Sequence, residues 1–154
     1  MRPETAPGSL AEFSSRPMLQ LVLPVVDLEA SRRFYQDLLG CRAVRENASW
    51  VEFDFFGNRL IACRLGRTAP AQFSANVAGS DLPVPHFGLV LGWDDWHRAV
   101  DHLNYVGAGF QIAPAIDLAD TEQAQGLFAL RDPDDNLVVF RAYRHPEAAY
   151  RVNR

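Results

Sequence analysis

Apolar and polar residues change rhythm several times along this chain, and the changes repeat. The run Leu19-Gln20-Leu21-Val22-Leu23-Pro24-Val25-Val26 is short, apolar and rich in β-branched residues, which predicts a strand. Asp27 follows where a helix N-cap belongs, because its side chain can accept from an orphan backbone N–H. Leu28, Phe34, Tyr35, Leu38 and Leu39 then recur at three- and four-residue spacing, predicting a helix that Gly40 stops in the left-handed conformation. Three further strands are expected over 41–46, 49–55 and 59–65, with Gly57-Asn58 as the tight turn between the last two.

The second half repeats the plan. A strand is predicted over 85–91 and a helix capped by Asp94 or Asp95, with Trp96, Ala99, Val100, Leu103 and Val106 on one stripe. Gly107 ends that helix. Strands follow near 110–112, at 127–131 and at 137–143, the last two joined by the turn Asp132-Pro133-Asp134-Asp135-Asn136. The chain therefore reads as a duplicated strand–helix–strand–strand–strand unit, in which Gln20 overlays His86. The expected organisation is a loose arm over 1–17, a first module over 18–65, a Gly/Pro/Ser-rich linker over 66–83, a second module over 84–144 and a tail over 145–154.

Composition narrows the chemistry. The 154 residues are 48% hydrophobic and 22% charged, enough apolar material for a real core. A net charge of -4 speaks against nucleic acid as the main partner, since such binders displace counterions with a basic surface. No apolar run approaches the ~20 residues of a membrane span. All 15 basic residues are arginine, so neither a Schiff-base lysine nor a phosphate-loop lysine is available. Two cysteines, Cys41 and Cys63, make no disulfide framework, and no secretory leader is legible, so a cytoplasmic location is expected.

Several strings carry a resemblance: LPVVDLEASRRFYQDLLGC (23–41), SWVEFDFFGNRL (49–60), VPHFGLVLGWDDWH (84–97) and DPDDNLVVFRAY (132–143). They resemble the vicinal oxygen chelate superfamily, which includes glyoxalase I, type I extradiol dioxygenases, and fosfomycin and bleomycin resistance proteins. The resemblance implies an α+β fold of two βαβββ modules whose mixed sheets curl around a shared cleft. It implies homodimers, a small-molecule ligand or substrate, and a divalent metal (iron, zinc, nickel or manganese) held by the first and fourth strands of each module.

Carried over residue by residue, the resemblance makes His86 a metal ligand or acid/base and Gln20 its oxygen-donating partner. By strand alternation His86 shares a face with Gly88 and Val90, opposite the apolar Phe87, Leu89 and Leu91. The sequence departs from the family at Val139, which stands where relatives carry a metal-binding Glu and which cannot ligate. The matching position in the first module falls near Cys63. Glycoxalase-type proton transfer and ring cleavage both need that carboxylate, so the usual reactions lose their support. Glu52, sharing a face with Trp50 and Asp54, is the candidate replacement base or ligand. Trp50, Cys63, Trp93, Val139, Arg141 and Tyr143 are expected around the pocket, with Arg141 placed for an anionic group and Trp93 at the mouth. The acidic stretch DLADTEQAQ (117–125) falls where relatives often cover the cleft.

Two functions remain open on these residues. One is a lyase, isomerase or oxygenase with a diverged or lost metal site, acting on a compact oxygenated or aromatic molecule. The other is a non-catalytic protein that sequesters a small molecule. Metal-free catalysis by His86 or Glu52 is a variant of the first.

Overall fold

The computed structural model describes residues 18–66, 72–77 and 80–149. The arm over 1–17, parts of the 66–83 stretch and the end of the tail lie outside these. Strand β1 (Gln20–Val25) leads into α1 (Leu28–Arg32), which runs on as a π-helical segment over Arg33–Leu38. Then come β2 (Ala43–Glu46), β3 (Trp50–Phe55) and β4 (Asn58–Arg64). A hairpin of β5 (Phe73–Val77) and β6 (Ser80–Val84) separates these from β7 (Phe87–Leu91), α2 (Trp93–Tyr105), β8 (Ile112–Asp117), β9 (Gln125–Arg131), β10 (Leu137–Tyr143) and the short α3 (Pro146–Ala149).

The duplication is visible in the strand order. One sheet runs β1-β4-β3-β2 and the other β7-β10-β9-β8, with the first and last strand of each unit parallel and the rest antiparallel. This is the expected α+β arrangement of two βαβββ units. Among the described residues no helix is long and apolar enough to cross a membrane.

Local signals explain most boundaries. The Asp27 carboxylate accepts from Glu29 N–H at 2.9 Å and caps α1 as expected. Gly40 and Gly107 end the helices at φ +77° and +72°. Two turns differ from expectation. Helix α2 starts at Trp93 with Gly92 as N-cap, so Asp94 and Asp95 lie inside its first turn, where their charge favours the N-terminal dipole. The β3–β4 loop is Phe56-Gly57, not Gly57-Asn58. Both have positive φ, 51° and 89°, as a two-residue hairpin turn of this twist requires. The Asp54 carboxylate holds that turn by accepting from Gly57 N–H at 2.9 Å.

Alternation then divides each sheet into two faces. Leu23, Val25, Val51, Phe53, Phe55, Leu60 and Ala62 face the first helix, and Phe128, Leu130, Val138, Phe140 and Ala142 face the second. With Phe34, Tyr35, Trp96 and Leu103 they form one continuous core spanning both units. Each such large apolar side chain contributes about 1.5–3 kcal/mol when fully buried. Trp96 fixes the second helix. Its indole N–H donates to the Phe140 carbonyl at 3.1 Å, and its ring lies where a Cβ on Gly126 would come within 2.9 Å.

The units are also joined by polar contacts at the DPDDN turn. Tyr35 Oη donates to Asp132 Oδ2 at 2.6 Å, and Val26 N–H donates to Asp134 Oδ1 at 2.9 Å. Asp132 Oδ1 accepts from the backbone N–H groups of Asp134 and Asn136. Burial first, and the neighbouring Asp132 charge second, push the Tyr35 phenol well above its ordinary range, so it remains a donor.

The 66–83 stretch departs from a plain linker. Its β5–β6 hairpin forms a separate two-stranded sheet. Leu82, 1% exposed, packs on Ala129, Leu137 and Val139. Those residues lie on the face of the second sheet turned away from the helices. The hairpin thus covers part of the surface that the sequence assigns to the cleft.

Candidate functional site

The helix-free face of each sheet is written by register. In the first unit the rows are Gln20–Arg59–Asp54, Val22–Ile61–Glu52–Arg45 and Pro24–Cys63–Trp50. In the second they include Gly88–Val139–Ala129–Ile112 and Val90–Arg141–Leu127–Ala115. With Gln20 laid on His86, Gly88 corresponds to Val22, and Val139 therefore corresponds to Ile61. The counterpart of Val139 lies two positions before Cys63, which instead corresponds to Arg141.

His86 sits just before β7, half-buried. Its Nδ1 lies 2.7 Å from the Pro83 carbonyl oxygen. A carbonyl only accepts, so Nδ1 carries the proton, and the neutral ring presents its lone pair at Nε2. The ring borders two hollows. One is a crevice of about 220 Å³ between β1 and β7, walled by Leu21, Val22, Leu23, Pro24, Phe87 and Leu137, with Gln72, Pro85 and Asn136 at its edge. The other is an open groove of about 230 Å³ along β7 and β10, bordered by Gly88, Val90, Val139 and Arg141.

Gly88 is demanded by packing. A Cβ there would lie 1.7 Å from the Val139 carbonyl oxygen, so β7 and β10 approach too closely for any side chain. Arg141 is 9% exposed and lines the groove.

Other expected site residues fall elsewhere. Gln20 shares the helix-free face but is exposed at the start of β1, opposite Arg59, and borders neither hollow. Glu52 is 4% exposed and already engaged: Arg45 Nε and an Arg45 terminal nitrogen donate to its two oxygens at 2.8 and 2.9 Å. Those bonds hold its carboxyl below the ordinary range, a poor state for a base. Trp50 lies beneath the same guanidinium, 5.7 Å from ring centroid to Cζ, and Cys63 pairs beside it in register. Neither reaches the His86 hollows. Trp93 is not at the mouth. It packs on the helix side of the core, stacked on Trp96 at 6.4 Å, with Arg144 over its ring at 5.1 Å. Tyr143 pairs with Gln125 near the end of β10, away from both hollows. The 117–125 stretch is tied down where Arg144 donates to the Ala119 carbonyl at 2.6 Å.

The donors do not fit the metal that the resemblance implies. Val139 offers none and packs against Leu82, and Gln20 stands apart from His86. Among the described residues no three His, Cys, Asp or Glu side chains gather into a group able to hold a metal ion. Both cysteines are free thiols, and burial pushes Cys41 up to about 12.

Sequence reasoning missed Leu82, Pro83 and Gln72, all from the supposed linker. The available signal was a period of two: Phe73, Ala75 and Val77 alternate with Ser74 and Asn76, and Leu82 and Val84 flank Pro83.

Solved structures with this architecture include a glyoxalase/bleomycin resistance protein/dioxygenase from Alicyclobacillus acidocaldarius, 21% identical, covering 87% of this chain and 96% of its own with a TM-score of 0.69. A glyoxalase/dioxygenase from Nostoc punctiforme is 18% identical over 93% of this chain and 98% of its own, TM-score 0.58. The fosfomycin resistance protein FosX from Listeria monocytogenes is 13% identical over 83% and 93%, TM-score 0.59. No curated protein matches the chain. At these identities the likeness is one of fold. The family model of the Glyoxalase/Bleomycin resistance protein/Dioxygenase superfamily matches residues 18–140, and the chain belongs to that superfamily.

Proposed function

We propose that this chain binds and acts on a small oxygenated or aromatic molecule through a metal-independent site centred on His86. The observation that supports this most is the Pro83 carbonyl at 2.7 Å from Nδ1, which fixes the tautomer and aims a lone pair from Nε2. As a base, Nε2 takes a proton from the bound molecule, and the imidazolium keeps its Nδ1–H on the carbonyl. Arg141, beside the same groove, stabilises negative charge left on the deprotonated molecule.

The test uses a panel of small phenols and aromatic alcohols, followed by thermal shift and by mass spectrometry of products. His86→Ala is expected to abolish ligand-induced stabilisation and turnover, and exhaustive chelation to leave both unchanged. Loss of binding on chelation, restored by a divalent metal, overturns the reading.

A second reading, sequestration without chemistry, draws support from Glu52. Its engagement by Arg45 keeps that carboxylate from relaying a proton. It expects binding that depends on His86 with no product at any pH.

A further inference from the structure

We propose that the crevice between β1 and β7 receives the apolar arm of a hydroxylated molecule, such as an alkylphenol, whose hydroxyl donates to His86 Nε2. This rests on the reading of His86 given above and names the class of molecule.

With Nδ1–H on the Pro83 carbonyl, the neutral form of the ring offers Nε2 as an acceptor, whose complement is a donor. A phenol or alcohol supplies one, whereas a carboxylate or an ether does not. Nε2 has no hydrogen-bond partner among the described residues. The other polar side chains at the crevice are engaged in part. The Gln72 amide N–H donates to the Pro85 carbonyl, and its oxygen accepts from Arg131. The Asn136 amide N–H donates to Asp132. That leaves Nε2 and the Asn136 amide oxygen as the side-chain acceptors open to a ligand at the crevice, and Nε2 is the one also shared with the groove along β7 and β10.

The remaining wall is carbon: Leu21, Val22, Leu23, Pro24, Phe87 and Leu137. A dry apolar cavity of about 150 Å³ holds benzene. The 220 Å³ here therefore takes a phenyl ring with a short alkyl chain, and is too small for a peptide helix. The imidazole borders this space directly, so one molecule can place its ring or chain in the crevice while its hydroxyl meets the ring nitrogen.

The experiment compares phenol, 4-ethylphenol, 4-propylphenol, ethylbenzene and 4-ethylbenzoate on the full chain, following the His86 imidazole nitrogens by NMR during titration. Phenols are expected to shift Nε2, and affinity to rise about fourfold for each methylene until the crevice fills. Ethylbenzene and 4-ethylbenzoate bind at least tenfold more weakly than 4-ethylphenol. Val22→Trp, at a position 54% exposed and so tolerant of bulk, fills the crevice and erases the gain with chain length while phenol still shifts Nε2. Melting curves confirm that the variant is folded. Equal affinity along the alkyl series, or 4-ethylbenzoate binding as tightly as 4-ethylphenol, overturns the proposal while a shifted Nε2 preserves the reading of His86. Phenol that leaves the imidazole unmoved overturns both.

Discussion

Asp134 shows how one side chain serves two opposed demands. Its Oδ1 accepts from Val26 N–H across the boundary between the units, but its Oδ2 is buried without a partner among the described residues. Burial, only partly offset by that backbone bond and reinforced by the charge on Asp132, raises its carboxyl above the ordinary value. A carboxyl raised in the folded state favours folding only while protonated. That contribution is full below the ordinary aspartate range and disappears as pH climbs through the raised value. Asp134→Asn keeps an oxygen for Val26 and removes the charge. Its melting temperature is expected to exceed that of the parent at about pH 7 and to converge with it toward about pH 4. Equal offsets at both pH values would assign the burial cost to something other than ionisation. The same scale marks where sequence reading succeeds and stops. Alternation puts Arg141 on the helix-free face, with His86 just ahead of β7, and does so equally for Gln20 and Glu52. It says nothing of depth or of the strand alongside, so the exposure of Gln20 and the grip of Arg45 on Glu52 were not legible.

Among the elements, the β5–β6 hairpin is the least securely held. Among the described residues its strands pair with neither large sheet, and it is anchored by Leu82 in a small apolar cluster separate from the main core and by the adjoining Gln72, whose oxygen accepts from Arg131 of β9. A fully buried Leu→Ala change usually costs about 2–5 kcal/mol. Here the loss is capped by the hairpin's own opening free energy, because the rest of the fold does not depend on it. Leu82→Ala is therefore expected to speed amide exchange across 73–77 and 80–84 while moving the global melting temperature little. A uniform rise in exchange, with a large drop in melting temperature, would show that the hairpin belongs to the main cooperative unit. The other strands were readable to within a few residues where apolar runs mark them, except β8, expected near 110–112 and found over Ile112–Asp117, where Pro114 and Asp117 break the apolar pattern. This hairpin was not, because its alternation is brief and lies in a stretch whose Gly, Pro and Ser content resembles a loop.

At the scale of the molecule, the helix faces of both sheets meet in one interior, and the buried Tyr35–Asp132 bond ties the two units together. Tyr35→Phe keeps the ring packing and removes the hydroxyl, leaving Asp132 Oδ2 with the Asn136 amide as its remaining donor. The expected cost is about 1–3 kcal/mol, with unfolding still a single transition because the shared core couples the units. Two resolved transitions would mean that each unit folds independently. The duplicated topology was legible from repeated rhythm alone, but how the copies meet was not, since nothing in a periodic pattern specifies which tyrosine finds which aspartate. The single interior has a genealogical consequence. Ancestral halves joined by duplication have since become mutually dependent, each providing the oil into which the other dissolves its greasy side. Drift in either copy is thereby answerable to its twin, down to the apolar seam where Val25 and Phe140 share one interior.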